Sequence, residues 1–459
     1  MRILYATAEL SPVAAVGGLA NAAAGLVAEL RDQGADVETA LPDYAAAELE
    51  DEVVVPLDVP SWAAPATARS GVHRAAGPLT LVSVPGIGRP DPYVDEHGEG
   101  WPDNDRRFLG FSMAVAALAR TRQPDVVHVN DWHAGAALAA LEPAQPSVLS
   151  IHNIAFQGWT GPEWAARIGP RGAAYLRGDA CNPLAGALAL AHSVVVVSPT
   201  FREEILRPGG GFGLDDLLHE RAAAVVGIRN GIDASEWDPA ADPYLPAPFD
   251  AGDLAPKAAT RAAALAATGL SAGPGPLAVV VSRLAEQKGI DLLLPLVPEL
   301  ETAGARLAVL GSGSAAISAE LRAAAALHQE TLAFVEGYDR RLSHLLIAGG
   351  DLLLMPSRFE PCGLTQMQAM RYGTLPVVTD VGGLHDTVVD LDDDPAAGTG
   401  WKAPEPTSGA VADAVRRATR GWADPALRAE AQRRGMSADW SWREPAARHL
   451  ELYRRIAIA

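Results

Sequence analysis

Cysteine is almost missing from this chain. Of 459 residues only Cys181 and Cys362 carry a thiol, which excludes a disulfide framework and a thiolate metal cluster. Metal-ligand spacing is missing too: His128-x4-His133 lacks the glutamate and the helix of a zincin. No Gly-x-Ser-x-Gly elbow is present to carry a serine nucleophile. No stretch of ~18 unbroken apolar residues could span a bilayer. The opening Met1-Arg-Ile-Leu-Tyr-Ala6 runs directly into a strand pattern with no signal-peptide character, so a cytoplasmic location is expected. Basic charge is also short, with 37 Lys and Arg against 56 Asp and Glu and a net charge of −19. Partners that demand a broad cationic surface, nucleic acid and anionic membrane, are therefore not expected. A local basic pocket for a phosphate remains compatible with that balance.

What is present is the composition of a globular enzyme, 49% hydrophobic and 20% charged. The length is too great for one core and implies two or three domains. A first strand, Arg2–Ala6, leads through a glycine loop containing Gly17 and Gly18 into an Ala-rich helix ending near Gly34. Strand, glycine loop and helix in that order would put free backbone donors and the positive end of a helix dipole together, which suits an anion. Strand-like runs follow at Asp36–Ala40, Val53–Val59 and Leu79–Val84, then an amphipathic helix over Arg107–Arg120, and the alternation predicts a parallel sheet. The runs Val126–Asn130 and Val148–Ile151 each end in a polar cluster, Asp131/His133 and His152/Asn153. Polar residues at the ends of several consecutive strands point to a ligand site at the carboxyl edge of the sheet.

A Pro-rich stretch from Trp237 marks the domain boundary, and after it the strand–helix alternation restarts. The expected organisation is an N-terminal Rossmann-like domain over residues 1–240, a linker over 241–256, and a second Rossmann-like domain over 257–440. Residues 441–459 would form a closing helix. Between strand and helix in the second half lies Ser282-Arg283-Leu-Ala-Glu-Gln-Lys288-Gly289, whose two cations suit a diphosphate. Further on, the apolar run ending at Met355 hands over to Ser357-Arg-Phe-Glu360-Pro-Cys362-Gly363-Leu364, ahead of a helix from Thr365. Glu360 thus sits at a strand's carboxyl end. A rival pattern, Gly311-Ser-Gly313-Ser-Ala-Ala316, imitates a dinucleotide fingerprint, but it is not on the first strand of its half. Gly382-Gly383 again precedes a helix.

Together these segments resemble the bacterial glycogen and starch synthases. The likeness is carried by Gly17-Gly-Leu19, Asn130-Asp-Trp-His-Ala-Gly135, His152-Asn-Ile-Ala-Phe-Gln-Gly158, Ser282-Arg-Leu with Gln287-Lys-Gly289, Pro356 to Gln366, Gly382-Gly-Leu with Asp386-Thr-Val388, and Trp440-Ser-Trp442. It spans nearly the whole chain in the right order, and the octapeptide around Glu360 is its most specific part. The resemblance implies a retaining glycosyltransferase of the GT-B arrangement, an α/β fold with two Rossmann-like domains facing across a cleft. The C-terminal helix would cross back to the N-terminal domain. It implies a nucleotide-diphosphate sugar, ADP-glucose in bacteria, as donor and the 4-OH of an α-glucan or malto-oligosaccharide as acceptor, with no metal or other cofactor. Arg283 and Lys288 would neutralise the diphosphate and Glu360 would bind donor-sugar hydroxyls. His152 would lie by the reacting carbon with Asn153 beside it, and Asp131 would orient the acceptor. Gly17, Gly18, Cys362, Gly363, Leu364 and Thr365 would line the donor, and Tyr338 would stack on the nucleobase.

Two departures stand out. The family's loop reads Lys-x-Gly-Gly-Leu, and Ala15 occupies the lysine's place; Asn182-Pro-Leu-Ala185-Gly186 also lacks a lysine often found there. They leave two alternatives to a glycogen synthase. One is a specialised transferase resembling those of acarbose-type aminosugar pathways, using a dTDP-, GDP- or UDP-sugar on a short glucan. The other is a catalytically silent homologue that binds glucan or nucleotide.

Overall fold

The computed structural model describes residues 1–45, 47–96 and 98–458. Its internal contacts divide them into two units, Met1–Gly231 with Trp442 onward, and Ile232–Ser441.

The first unit is organised on a nine-stranded sheet. Seven strands are parallel, in the order Val225–Gly227, Ser193–Val196, Ser147–Ile151, Val126–Asn130, Arg2–Ala6, Asp36–Pro42, Gly77–Ser83. The central runs are buried along their whole length, as expected of parallel strands covered on both faces. Strand order reverses between Arg2–Ala6 and Val126–Asn130, so the loops leaving these two strands diverge and open a crevice at their carboxyl ends. The all-parallel expectation needs correction at one edge. Thr67–His73 and Glu50–Pro56 pair antiparallel, and the outermost strand is largely exposed. With only one face to cover, these residues lack the unbroken apolar run of a buried parallel strand, and the segment expected at Val53–Val59 starts and ends earlier.

The helix Gly18–Asp32 buries Leu19, Ala22, Ala23, Leu26, Val27 and Leu30 on one stripe. Against it packs the helix Arg443–Ile458, through Ala446, Leu450 and Tyr453. Trp442 lies directly over Gly25, where any side chain would collide with the indole. The C-terminal helix is therefore part of the first unit's core.

The second unit carries a six-stranded parallel sheet in the order Leu332–Glu336, Arg306–Gly311, Leu277–Val281, Leu352–Met355, Leu375–Thr379, Trp401–Ala403. Numbered along the chain this is the 3-2-1-4-5-6 order of a dinucleotide-binding fold, with its switch point between Leu277–Val281 and Leu352–Met355. The Pro-rich stretch after Trp237 belongs to this unit. Its Asp242 receives the Tyr372 hydroxyl at 2.5 Å and lies 2.8 Å from His344 Nδ1, and the His344 ring stacks on Trp237 at 4.1 Å. Among the described residues no helix is long and apolar enough to cross a membrane.

Candidate active site

In the second unit the switch point is occupied by the residues the sequence singles out. The loop after Leu277–Val281 carries Arg283 and Lys288, and the loop after Leu352–Met355 carries Glu360. Lys288 Nζ donates to Glu360 Oε2 at 2.5 Å, and Ser357 Oγ donates to the same oxygen at 3.0 Å. Glu360 is 5% exposed, so this carboxylate is held by charge and hydrogen bonds rather than by water. The Arg283 side chain is exposed.

Cross-bracing sets the geometry of the two loops. Arg358 forks onto Asp291 at 2.8 and 2.7 Å and donates to the Glu286 carbonyl at 2.9 Å. Its own N–H reaches the Gln287 carbonyl at 2.8 Å, while Gln287 Nε2 returns a bond to the Phe359 carbonyl at 2.9 Å. Downstream, Gly383 N–H donates to the Glu360 carbonyl at 3.0 Å. A Cβ at 383 would collide with the Cys362 backbone, so only glycine lets these loops approach so closely. Gln366 Nε2 holds the carbonyls of Cys362 and Gly363, both at 3.0 Å, from the first turn of the helix Thr365–Arg371. Leu364 precedes that helix and Thr365 opens it. Tyr338 stands apart from this bracing, 76% exposed, next to the helix Arg340–Gly349.

The dinucleotide-like pattern has a packing role instead. Cβ atoms at Gly311 and Gly313 would strike the backbone of Ser282 and Leu284, so these glycines seat the Arg283 loop.

In the first unit, the strand ends at the switch point bring Glu9, Asp131, His152 and Asn153 to one edge. Asp131 has a left-handed backbone, φ 51°, which costs a non-glycine residue energy and marks a constrained position. Its Oδ1 accepts the His152 N–H at 2.8 Å. Burial pushes the Asp131 carboxyl up to about 7, against the hydrogen bonds from the His152 and Asn153 backbone, with Glu9 adding to the rise. Burial likewise drives the His152 imidazole down to about 4. Asn153 uses its Oδ1 to accept the Ala155 N–H at 3.0 Å. His133 is enclosed by Trp132, Phe108 and Tyr93, with ring centroids at 4.2, 4.7 and 5.1 Å.

The glycine loop corrects the expectation of free donors. Glu9 Oε2 accepts the N–H groups of Val16 and Gly17 at 2.9 and 2.7 Å, while Tyr93 donates its hydroxyl to Oε1 at 2.8 Å. A resident carboxylate occupies the place an anion would take, and it reaches there because Glu9 leaves the first strand's carboxyl end. Gly18 and Ala15 remain exposed. At the second departure from the family pattern, Ala185 is fully buried, its N–H capped by Asn182 Oδ1 at 2.9 Å.

Glu9, Tyr93, Asn130, Ser357 and Arg358 were not singled out from sequence. Glu9 was open to the rule that picked out Glu360, an acid just past a strand's carboxyl end. Among the described residues no group of three or more His, Cys, Asp or Glu side chains is placed to hold a metal ion.

Two family models cover the chain in succession: starch synthase catalytic domain over residues 2–220, and glycosyl transferases group 1 over residues 267–435. The chain is 40% identical to a glycogen synthase of Halorhodospira halophila over 493 aligned residues, covering 100% of both chains. It is 41% identical to a glycogen synthase of Alkalilimnicola ehrlichii, covering 99% of this chain and 98% of the other. Among solved structures, the catalytic domain of starch synthase IV from Arabidopsis thaliana, bound to ADP and acarbose, superposes with a TM-score of 0.89. That pair shares 30% identity, over 100% of this chain and 99% of the other. Two Rossmann-type units, matched in succession by these two family models and by the starch synthase IV structure, define a GT-B glycosyltransferase. Within that class the chain belongs to the bacterial-type glycogen and starch synthase family.

Proposed function

We propose that the chain transfers a glucosyl unit from ADP-glucose to the non-reducing 4-OH of an α-1,4-glucan, with retention. Glycosyl transfer from a nucleotide sugar to a glucan is the activity of its family. ADP as the nucleotide is supported by the ADP bound to the starch synthase IV relative. The observation that carries the site is the Lys288–Glu360 pair at 2.5 Å, in braced loops at the second sheet's switch point, with Arg283 exposed in the same loop.

In this reading the bond from the sugar C1 to the diphosphate oxygen breaks, and its electrons leave with the diphosphate. Arg283 and Lys288 neutralise that developing charge. An ammonium has three donors, so Lys288 can hold Glu360 and still reach a phosphate oxygen. Both hydrogen bonds to Glu360 fall on Oε2, which leaves Oε1 for a sugar hydroxyl. The acceptor 4-OH attacks C1 from the face the leaving group vacates, and its proton passes to the departing phosphate oxygen. No second carboxylate is needed as nucleophile, unlike in retaining glycosidases. His152 and Asn153 lie against the sugar, and Asp131 orients the acceptor hydroxyl. The backbone around Gly18 and from Cys362 to Thr365 lines the donor. Tyr338 stacks on the base.

For the acceptor, Phe156 and Trp159 expose aromatic surface just beyond Asn153, and Phe212 is exposed as well. Gln157, between the first two in the chain, donates its Nε2 to the Phe212 carbonyl at 3.0 Å. Flat faces of this kind suit pyranose rings. A cytoplasmic location is part of the proposal, and cell fractionation tests it.

One observation favours a second reading, a specialised transferase with another nucleotide sugar: Ala15 is exposed where the family carries a lysine. A donor panel of ADP-, UDP-, GDP- and dTDP-sugars, with glycogen or maltose, separates the two. Release of ADP from ADP-glucose on glycogen, faster than from every other pair, supports the first reading. Preference for another nucleotide on maltose overturns it, and glucan binding without release from any donor would mean a silent homologue.

A further inference from the structure

The ring of His152 has a defined proton position, and it is imposed by a neighbour that the reaction does not touch. Asn130 ends the strand Val126–Asn130 and is fully buried. Its Nδ2 donates to the Ala6 carbonyl at 3.0 Å. Its Oδ1 accepts the Tyr5 hydroxyl at 3.1 Å and lies 2.9 Å from His152 Nε2. The opposite amide orientation would set Oδ1 against the Ala6 carbonyl, acceptor against acceptor, so the amide cannot turn over. An oxygen therefore faces His152, and Nε2 must be the nitrogen that carries the hydrogen. The backbone of His152 is anchored independently, by its N–H on Asp131 Oδ1. Among the described residues the hydrogen bonds of the half-buried His152 use its backbone N–H and Nε2, which leaves Nδ1 open to a ligand.

We propose that Asn130 is a positioning residue that locks His152 as the Nε2–H tautomer and so presents Nδ1 as a hydrogen-bond acceptor to one hydroxyl of the transferred sugar. This rests on the placement of His152 at the donor sugar and says what that side chain recognises: a hydroxyl, not a carboxylate or an amine. The groups around the ring keep it neutral. Burial opposes a positive charge most, and His449 from the C-terminal helix adds to it. Among the described residues the carboxylate in contact is Asp131, bonded to the His152 backbone, with Glu9 behind it. His128 is itself occupied, by Tyr453 at 2.6 Å and Ser150 at 2.7 Å.

The test has a spectroscopic and a kinetic arm. In the full chain labelled with ¹⁵N-histidine, the ring signals lost in His152→Gln report its tautomer without any substrate. The expected result is a protonated Nε2 and a bare Nδ1 near pH 7, with the two tautomers mixing in Asn130→Ala. Kinetically, Asn130→Asp keeps the side-chain shape but places an anion on Nε2–H. Below the limb that Asp131 sets, the second and steeper fall of kcat/KM for the donor, which comes from His152, should move up by about 1–2 pH units, because the imidazolium has no acceptor at Nδ1. Asn130→Ala should lower kcat/KM for ADP-glucose about 10-fold with the glucan KM unchanged. It should lose no more when the donor lacks the recognised hydroxyl, whereas the wild type should. A protonated Nδ1 in the wild type, or an Asn130→Asp profile that does not move, would overturn the proposal. If Asn130→Ala fails to fold, the Asn130→Asp profile and the wild-type spectrum decide alone. A wild type with the expected tautomer but no turnover of any nucleotide sugar would instead overturn the placement of His152 at a donor.

Discussion

At Glu360 one carboxylate oxygen serves an ammonium and a hydroxyl while its partner oxygen is left for substrate. Replacing it with alanine removes charge-assisted bonding worth ~3 kcal/mol, so turnover should fall roughly 100-fold or more, with the circular dichroism spectrum unchanged. Near-normal release of nucleoside diphosphate would remove Glu360 from the mechanism. Ala15 gives a gain-of-function test at the same scale. Its position is exposed, so a lysine can enter without repacking, and Ala15→Lys should raise kcat/KM for ADP-glucose several-fold if the missing cation limits the reaction. Asp131 sets a pH dependence. Its carboxyl, pushed up to about 7 by burial, is neutral below that value, and a neutral carboxyl orients an attacking hydroxyl poorly. Activity should therefore fall as pH drops through about 7, and the limb should vanish in Asp131→Asn along with most of the turnover. The stability linkage runs the other way for this group. A raised folded value means its contribution is complete below the ordinary 3.8 and is lost as pH rises through about 7.

At the scale of elements, the glycine loop ahead of the helix Gly18–Asp32 is shaped by an internal anion. Glu9→Gln keeps one acceptor but gives up the charge on two backbone N–H groups. It should cost about 1–2 kcal/mol, read as a lower melting temperature, and raise the donor KM through loosening of the loop; Tyr93→Phe should show a weaker form of both. Strand, loop and helix order was legible because buried parallel strands are continuous apolar runs and glycine pairs punctuate them, as at Gly17-Gly18 and Gly382-Gly383. The antiparallel edge, Thr67–His73 against Glu50–Pro56, was not, because strands open to water on one side need no such runs. The Lys288–Glu360 pair illustrates a different limit. Each residue is readable from its own strand end, but the contact joins positions 72 apart and depends on Arg358 and Gly383, whose local sequence gives no sign of bracing. Glu9, a loop acid, reads as solvated until the N–H groups it accepts are counted. Asn130 looks like the last residue of a buried strand, and only its three partners show that it governs a neighbour's proton.

At the scale of the whole chain, the first unit buries His128, His133 and His449 and half-buries His152, and loss of water lowers the pKa of each. A depressed folded value means their contribution is present above 6.5 and lost as pH falls toward about 4, since the unfolded chain then takes up protons that the folded one refuses. Asp131 opposes this in the same window, one group against four. Melting followed by a probe in the first unit should therefore shift down steadily between pH 6.5 and 4; a flat profile would mean the rings are protonated in place. Residues 442–458 belong to that unit too, and Tyr453 and Leu450 each contribute about 1.5–3 kcal/mol of burial against the helix Gly18–Asp32. A truncation after residue 441 should expose that helix to limited proteolysis while leaving the second sheet protected. The consequence reaches into synthesis. On the ribosome, the half of the protein translated first stays unfinished until almost everything else has emerged, so a stalled message releases an adhesive, half-built lobe for chaperones to shield.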